Sequence, residues 1–351
     1  MKKSFIMATV IIMMSSFGAI GQAKADSLKD KLDKIQISGF VDASTFTSNV
    51  NSKTTTGAAD ASGTGLDQVE LDVEYSDGNI GLRFDLQISP SSTATVTNDS
   101  LIEQGYITYT LPDLLDDGLT FTYGKFNAPI GWELLDAPDM YQFSHANTFL
   151  YFIPTNLIGG MLSGSMGMLD AAVYYTNGAD ANGTNTSGGM KTYGGRLGIT
   201  PMEGANLGIS YLYDKNSNGA NSPASTIIDI DATYTGLEGL TLGGEYNQGK
   251  GQQGVTAGVA TKSKGWFLVA NYALTDMFGV TGRYESADFD TSVAGKTTAY
   301  TGALTASLGD GLGALFEARS DKNTNLTAAD GNGMPAQQTV MSYAFEMTYA
   351  F

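Results

Sequence analysis

The chain of 351 residues has no cysteine and one histidine, His145. Without cysteine it cannot belong to the small, disulfide-stapled secreted class, and a single histidine removes the usual ligand set of a structural zinc site. Basic residues are also few, with 19 Lys and Arg against 36 Asp and Glu, a formal charge of −17. Phosphate contacts need Lys and Arg, so nucleic acid is not expected as a partner. Long apolar runs are as scarce. The one that approaches helix-spanning length, residues 5–20, follows Lys2 and Lys3 and precedes a small-x-small site at Ala23-Lys24-Ala25. That order is the form of an export signal. A spanning helix would need about 20 apolar residues and a stop-transfer flank. The expectation is a cleaved signal peptide over 1–25 and a single domain over 26–351. Taking Lys2, Lys3 and Lys24 from the basic residues leaves 16 against 36 acidic ones, a formal charge of −20.

What the mature sequence has instead is a period of two. In "VELDVEYSDGNIGLRFDLQIS" (69–89), Val69, Leu71, Val73 and Tyr75 alternate with Glu70, Asp72 and Glu74. After Ser76-Asp77-Gly78-Asn79, Ile80, Leu82, Phe84, Leu86 and Ile88 enclose Arg83, Asp85 and Gln87. Two strands with one apolar and one charged face around an Asp-Gly turn make a β-hairpin. The unit recurs in about sixteen segments of roughly ten residues, the length a tilted strand needs to cross a bilayer. The weaker alternation of 35–46, 101–111 and 155–166 leaves fourteen to eighteen strands open.

Connections alternate in length. "SDGN", "PDLLDDG", "PMEGA", "GLEG", "TDM" and "GDG" are short, whereas polar links such as 47–65, 178–189, 215–224, 249–262 and 322–337 are long. Short turns on one side and long loops on the other are the layout of an outer-membrane barrel. Tyr213, Tyr246, Tyr284 and Tyr300 fall near the long loops and Tyr75, Tyr234, Tyr272 and Tyr349 near the short turns, two bands suited to two membrane interfaces. In the final stretch "VMSYAFEMTYAF", Met341, Tyr343, Phe345, Met347, Tyr349 and Phe351 should face lipid, and the strand must pair with the first one to leave no open edge in hydrocarbon. Residues 26–34 leave a short helix or an unstructured stretch open.

The fold expected is therefore an all-β, antiparallel, up-and-down transmembrane barrel of about sixteen strands. Its inward set is charged: Glu70, Asp72, Glu74, Arg83, Asp85, Arg196, Asp229, Asp231, Glu245, Arg283, Glu285, Glu317 and Arg319. A barrel of this width leaves an aqueous channel unless it is plugged, although the same charges could pair across strands and stiffen the wall. The third outer connection differs from the Ser/Gly/Asn loops. "YGKFNAPIGWELLDAPDMYQFSHANTFLYFIPTNLIGG" (123–160) holds Trp132, His145, three of the eight prolines and several large apolar groups. Standing in water it would expose them, so it should fold into the lumen and narrow it.

Gly124, Lys125, Pro129, Gly131, Glu133, Ser144, Pro154 and Gly159 in that segment, with the strand pattern and the terminal Phe351, resemble the OmpL-like β-barrel porin family. The resemblance implies a passive diffusion channel for small hydrophilic solutes in the bacterial outer membrane, constricted by the third loop around Lys125, Pro129, Gly131, Glu133, Ser144 and His145. It also implies outer-membrane lipid as surroundings, barrel-assembly machinery reading the terminal strand through Tyr349 and Phe351, and a homotrimer as one open state. Glu133 is the expected constriction residue, facing Arg83, Arg196 or Arg283, with a local pair to Lys125 as the alternative. Lining acids outnumber lining bases, so a mild cation preference is expected.

No cofactor or metal is expected. "GKGQQG" (249–254) fits G-x-G-x-x-G but sits in a Gly/Gln loop without a following helix. "DGNG" (330–333) and "NGADANGTN" (177–185) carry oxygen ligands but no EF-hand spacing. Ser144 and His145 are adjacent in sequence, where side chains rarely meet as nucleophile and base. A barrel lipase or a plugged, adhesive barrel are the competing readings; the first needs a Ser/His/Asn group on the outer wall, and conductance tests the second.

Overall fold

The computed structural model describes residues 28–52, 60–88, 101–177, 192–215, 224–250, 262–289, 295–329 and 335–351. The signal segment 1–25, "DGNG" and most of "NGADANGTN" lie outside them. The chain divides into two compact units, 1–35 and 36–351. Among the described residues of the first is the short helix α1 (Leu28–Leu32).

The second unit is a closed antiparallel barrel. Its strands are β1 (Ile35–Ser52), β2 (Ala61–Asp77), β3 (Ile80–Ile88), β4 (Ile102–Leu111), β5 (Leu119–Asn127), β6 (Asn156–Met166), β7 (Leu169–Thr176) and β8 (Thr192–Met202). They continue as β9 (Ala205–Asp214), β10 (Ser225–Leu237), β11 (Leu240–Lys250), β12 (Lys262–Ala273), β13 (Phe278–Asp288), β14 (Lys296–Gly309), β15 (Leu312–Ala329) and β16 (Pro335–Ala350). Each pairs with its neighbours in sequence, and β16 closes on β1 from Phe40↔Ala350 to Ser52↔Gln338.

The short turns are tight because their glycines take left-handed backbone. Gly78 between β2 and β3 has φ +58° and Gly204 between β8 and β9 has φ +76°, a region closed to most side chains. The alternation then sorts the faces. Along β16, Tyr343, Phe345, Met347 and Tyr349 are exposed outward while Ala344 and Glu346 are buried. Rings cluster on the outer face toward the long-loop end, with Tyr284 4.7 Å from Tyr300 and Tyr193 4.9 Å from Tyr213, centroid to centroid. Phe351 stacks on Tyr349 and exchanges backbone hydrogen bonds with Gly39, which fixes the seam.

Sequence reading placed loops at 47–65 and 322–337, and here the structure differs. β1, β2, β15 and β16 continue into them, the last ladder running as far as Ala329↔Pro335. These stretches are rich in Ser, Thr, Asn and Gly and carry no regular apolar alternation, so period two disappears although the ladder continues.

The apolar outer band yields a direct test. Phe345, 48 % exposed, lies well inside β16. Phe345→Arg should cost about 2–4 kcal/mol of barrel stability in lipid vesicles, whereas Phe345→Leu should be near neutral; both are read from urea unfolding midpoints.

Candidate functional site

The third outer connection (residues 128–155, hereafter L3) turns inward because its apolar side chains find an apolar strip on the inner wall. β12 reads Trp266-Phe267-Leu268-Val269, apolar on both faces, and its inward members Phe267 and Val269 are buried against Ala146 and Trp132 of L3. The Trp132 and Phe267 rings meet edge-on at 5.8 Å. Gly243 on β11 makes room for this ring, since a Cβ there would lie 2.3 Å from the indole. The short helix α2 (Asn147–Phe152) buries Phe152 against Ala287 and Phe289. At the loop's entry, Gly131 holds φ +92°, which re-aims the chain after Pro129.

Hydrogen bonds carry L3 across to distant strands. Trp132 donates its backbone N–H to Glu245 Oε2 on β11 at 2.6 Å and its indole N–H to Thr233 Oγ1 on β10 at 2.7 Å. Ser144 N–H reaches Glu317 Oε2 on β15 at 3.0 Å, and Asn147 N–H reaches Glu285 Oε2 on β13 at 2.6 Å. In the closed ring β13 stands opposite β5, from which L3 departs. The loop therefore crosses the lumen.

At the crossing point sits a buried charge network. Arg283 Nη1 donates to Glu133 Oε1 at 2.5 Å and to the Ser144 carbonyl at 2.7 Å. Glu133 also accepts from the Ala146 N–H at 2.7 Å and from Gln142 Nε2 at 3.0 Å, and His145 Nδ1 lies 3.4 Å from its Oε2. Arg319 joins from β15, donating to Ser144 Oγ and the His145 carbonyl, both at 3.0 Å, and pairing with Glu285 at 2.9 Å. The His145 ring stacks flat on Phe149 at 4.0 Å. Burial by itself would raise the Glu133 carboxyl, but the nearby His145 ring and the Arg283 charge outweigh it and hold Glu133 below the usual carboxylate range.

Of the cations weighed from sequence for Glu133, the structure brings Arg283. Arg83 pairs with Glu74 at 2.6 Å, its partner in the β2–β3 register, and with Asp85 at 2.9 Å. Arg196 pairs with Asp231 across β9. Lys125 lies on β5, its ammonium donating to the Ile102 carbonyl at 2.7 Å. Asp229 is buried beside Asp231 on β10. Between L3 and the short-turn end lies a cavity of about 590 Å³, lined by Pro138, Tyr141, Asn271, Thr305 and Glu346 among others.

Sequence reasoning passed over a second cluster, at the other end of L3. One carboxylate oxygen each from Glu70, Glu103 and Asp136 lie within 4.8 Å of one another, and the same holds for Glu70, Asp72 and Asp85. Asp136 opens the 3₁₀ turn Ala137–Asp139, and the Ala137 N–H is tied to Gln68 Oε1 of β2 at 3.2 Å. Burial, with the charges of Asp139, Asp72 and Asp85, pushes the Asp136 carboxyl up to about 6. Glu103 reaches the cluster through a bulge. Asp85 pairs with Gln104 and Leu86 with Ile102, so Glu103 is the extra residue and both Glu103 and Gln104 are buried. That bulge is also why 101–111 alternates weakly.

Solved structures share this architecture. The outer membrane channel DcaP of Acinetobacter baumannii superimposes with TM-score 0.64 at 11% identity, over 90% of this chain and 97% of that one. OmpF of Salmonella typhi, in complex with daunomycin, gives 0.63 at 12% identity over 90% and 97%. An anion-selective porin from Comamonas acidovorans gives 0.58 at 15% identity over 90% and 99%. No curated protein matches the chain in sequence. The family model described as "Putative beta-barrel porin-2, OmpL-like" matches residues 34–351, so the chain belongs to that family and is an outer-membrane β-barrel channel, not an enzyme.

Proposed function

We propose that the protein is a passive channel for small hydrophilic solutes and ions, with a mild preference for cations, constricted where L3 crosses the lumen. The imbalance of charge on the inner wall carries the preference. Arg83, Arg196, Arg283 and Arg319 are each engaged by carboxylates. Asp72 and Glu317 on the same wall take part in none of these four pairs. The field left over is negative, and salt should screen its exposed part over a Debye length of about 8 Å at physiological ionic strength. On this reading Glu133 is a constriction residue whose own charge is neutralised by Arg283, and the remaining acids set the selectivity.

The same reading includes export behind a signal over 1–25, recognition of Tyr349 and Phe351 by assembly machinery, and a homotrimer as the assembled form. Selectivity is tested by the reversal potential of bilayers holding the protein across a tenfold KCl gradient. A cation-signed potential that shrinks as both baths are raised toward 1 M supports the reading, and an anion-signed one overturns it.

A further inference from the structure

We propose that Glu70, Glu103 and Asp136 form a site for a divalent cation of the calcium type, which clamps L3 to the β2–β4 wall. The three residues come from β2, β4 and L3, and each offers an oxygen within 4.8 Å of the other two. Calcium takes carboxylate oxygens at about 2.3–2.6 Å in flexible geometry, which suits three carboxylates held by separate elements, whereas magnesium demands near-ideal octahedral geometry and sheds its waters reluctantly.

Proximity of acids alone would not distinguish a site from a solvated cluster; the hydrogen bonding does. Glu70 is 2 % exposed and Glu103 5 %. An amide orients each of them, Gln87 Nε2 donating to Glu70 Oε2 at 3.2 Å and Asn127 Nδ2 to Glu103 Oε1 at 3.4 Å. The other oxygen of each, Glu70 Oε1 and Glu103 Oε2, is buried with no partner, as is Asp136 Oδ1. Asp136 heads a 3₁₀ turn yet makes no capping hydrogen bond. A buried anionic oxygen without a donor is costly, and several facing one another are costlier still. Arg83, the guanidinium nearby on β3, is occupied by Glu74 and Asp85. A hard dication answers all three bare oxygens at once, and the bulge that turns Glu103 inward supplies its second carboxylate.

The site lies apart from the Glu133–Arg283 network, so the cation would secure the first half of L3 as that network secures the second. Binding is read independently of conduction, and a failure of one leaves the other standing.

The test is isothermal titration of calcium chloride into refolded, EDTA-stripped mature protein in detergent at fixed ionic strength. One saturable site per chain is expected, which magnesium chloride fills more weakly. The Glu70→Gln/Glu103→Gln variant should bind calcium at least about ten-fold more weakly. Its folding is confirmed by heat-modifiable gel migration, and it relieves repulsion, so it should melt higher than wild type in EDTA. A control, Glu203→Gln/Glu238→Gln in two short turns, removes the same charge and should keep the site. No saturable uptake by folded wild type, uptake unchanged in the cluster variant, or equal loss in the control would each overturn the proposal; the first would mean that the carboxylates share protons instead.

Discussion

Glu133→Ala should free L3 from the far wall and raise single-channel conductance. The substitution leaves Arg283 buried, its side chain 0 % exposed, with its closest carboxylate gone. Breaking a buried pair from one side costs about 3–5 kcal/mol when the surviving charge is left alone; here Glu285 stays 3.3 Å from Arg283, which places the cost toward the lower end. The loss falls on loop docking and not on the barrel, whose ladders do not involve Glu133. Two readouts should move together. Conductance rises as the crossing segment leaves the lumen, and in a Trp266→Phe background the Trp132 emission shifts to the red as its ring leaves Phe267. Arg283→Ala should do the same from the other side. The double variant should cost less than the sum of the two, since each single change strands the other's partner. Unchanged conductance and emission in both singles would show that the pair does not hold the loop.

Acid should open the channel late. The Glu133 carboxyl is held below its ordinary value in the docked loop, so its contribution is fully present above the unfolded value, about 4.3, and is lost as pH falls through the depressed folded value. The groups facing it are Arg283 and His145, with Glu285 and Arg319 in the same network. Conductance per channel should therefore stay near its neutral-pH level down to the ordinary carboxylate range and climb only below it. Glu133→Gln, which keeps the shape and removes the charge, should already conduct at the higher level at pH 7 and lack the acid step. A wild-type step well above that range would contradict the assignment to Glu133.

Much of the barrel is legible in the sequence because a lipid-facing wall must repeat its chemistry every second residue. The sixteen strands overlap the sixteen segments read from alternation, although β1, β2, β15 and β16 run on into stretches read as loops, and the inward turn of L3 follows from Trp132, Phe149 and Phe152, which water would not tolerate. What period two cannot carry is lost. Glu103 escaped because a bulge breaks the alternation at that residue. Phe267 and Val269 escaped because an inner wall covered by a loop is apolar on both faces, which reads as a plain hydrophobic run. The partner of Glu133 stood open among three arginines. Residues 133 and 283 are 150 positions apart, and only closure of the barrel brings them together.

The central claim is an aqueous passage past L3, and single-channel recording of the refolded mature protein in a planar bilayer tests it most directly. Discrete open steps of porin size, with a cation-signed reversal potential in a KCl gradient, are the predicted result. Silence from protein shown by gel migration to be folded would contradict it and make L3 a plug.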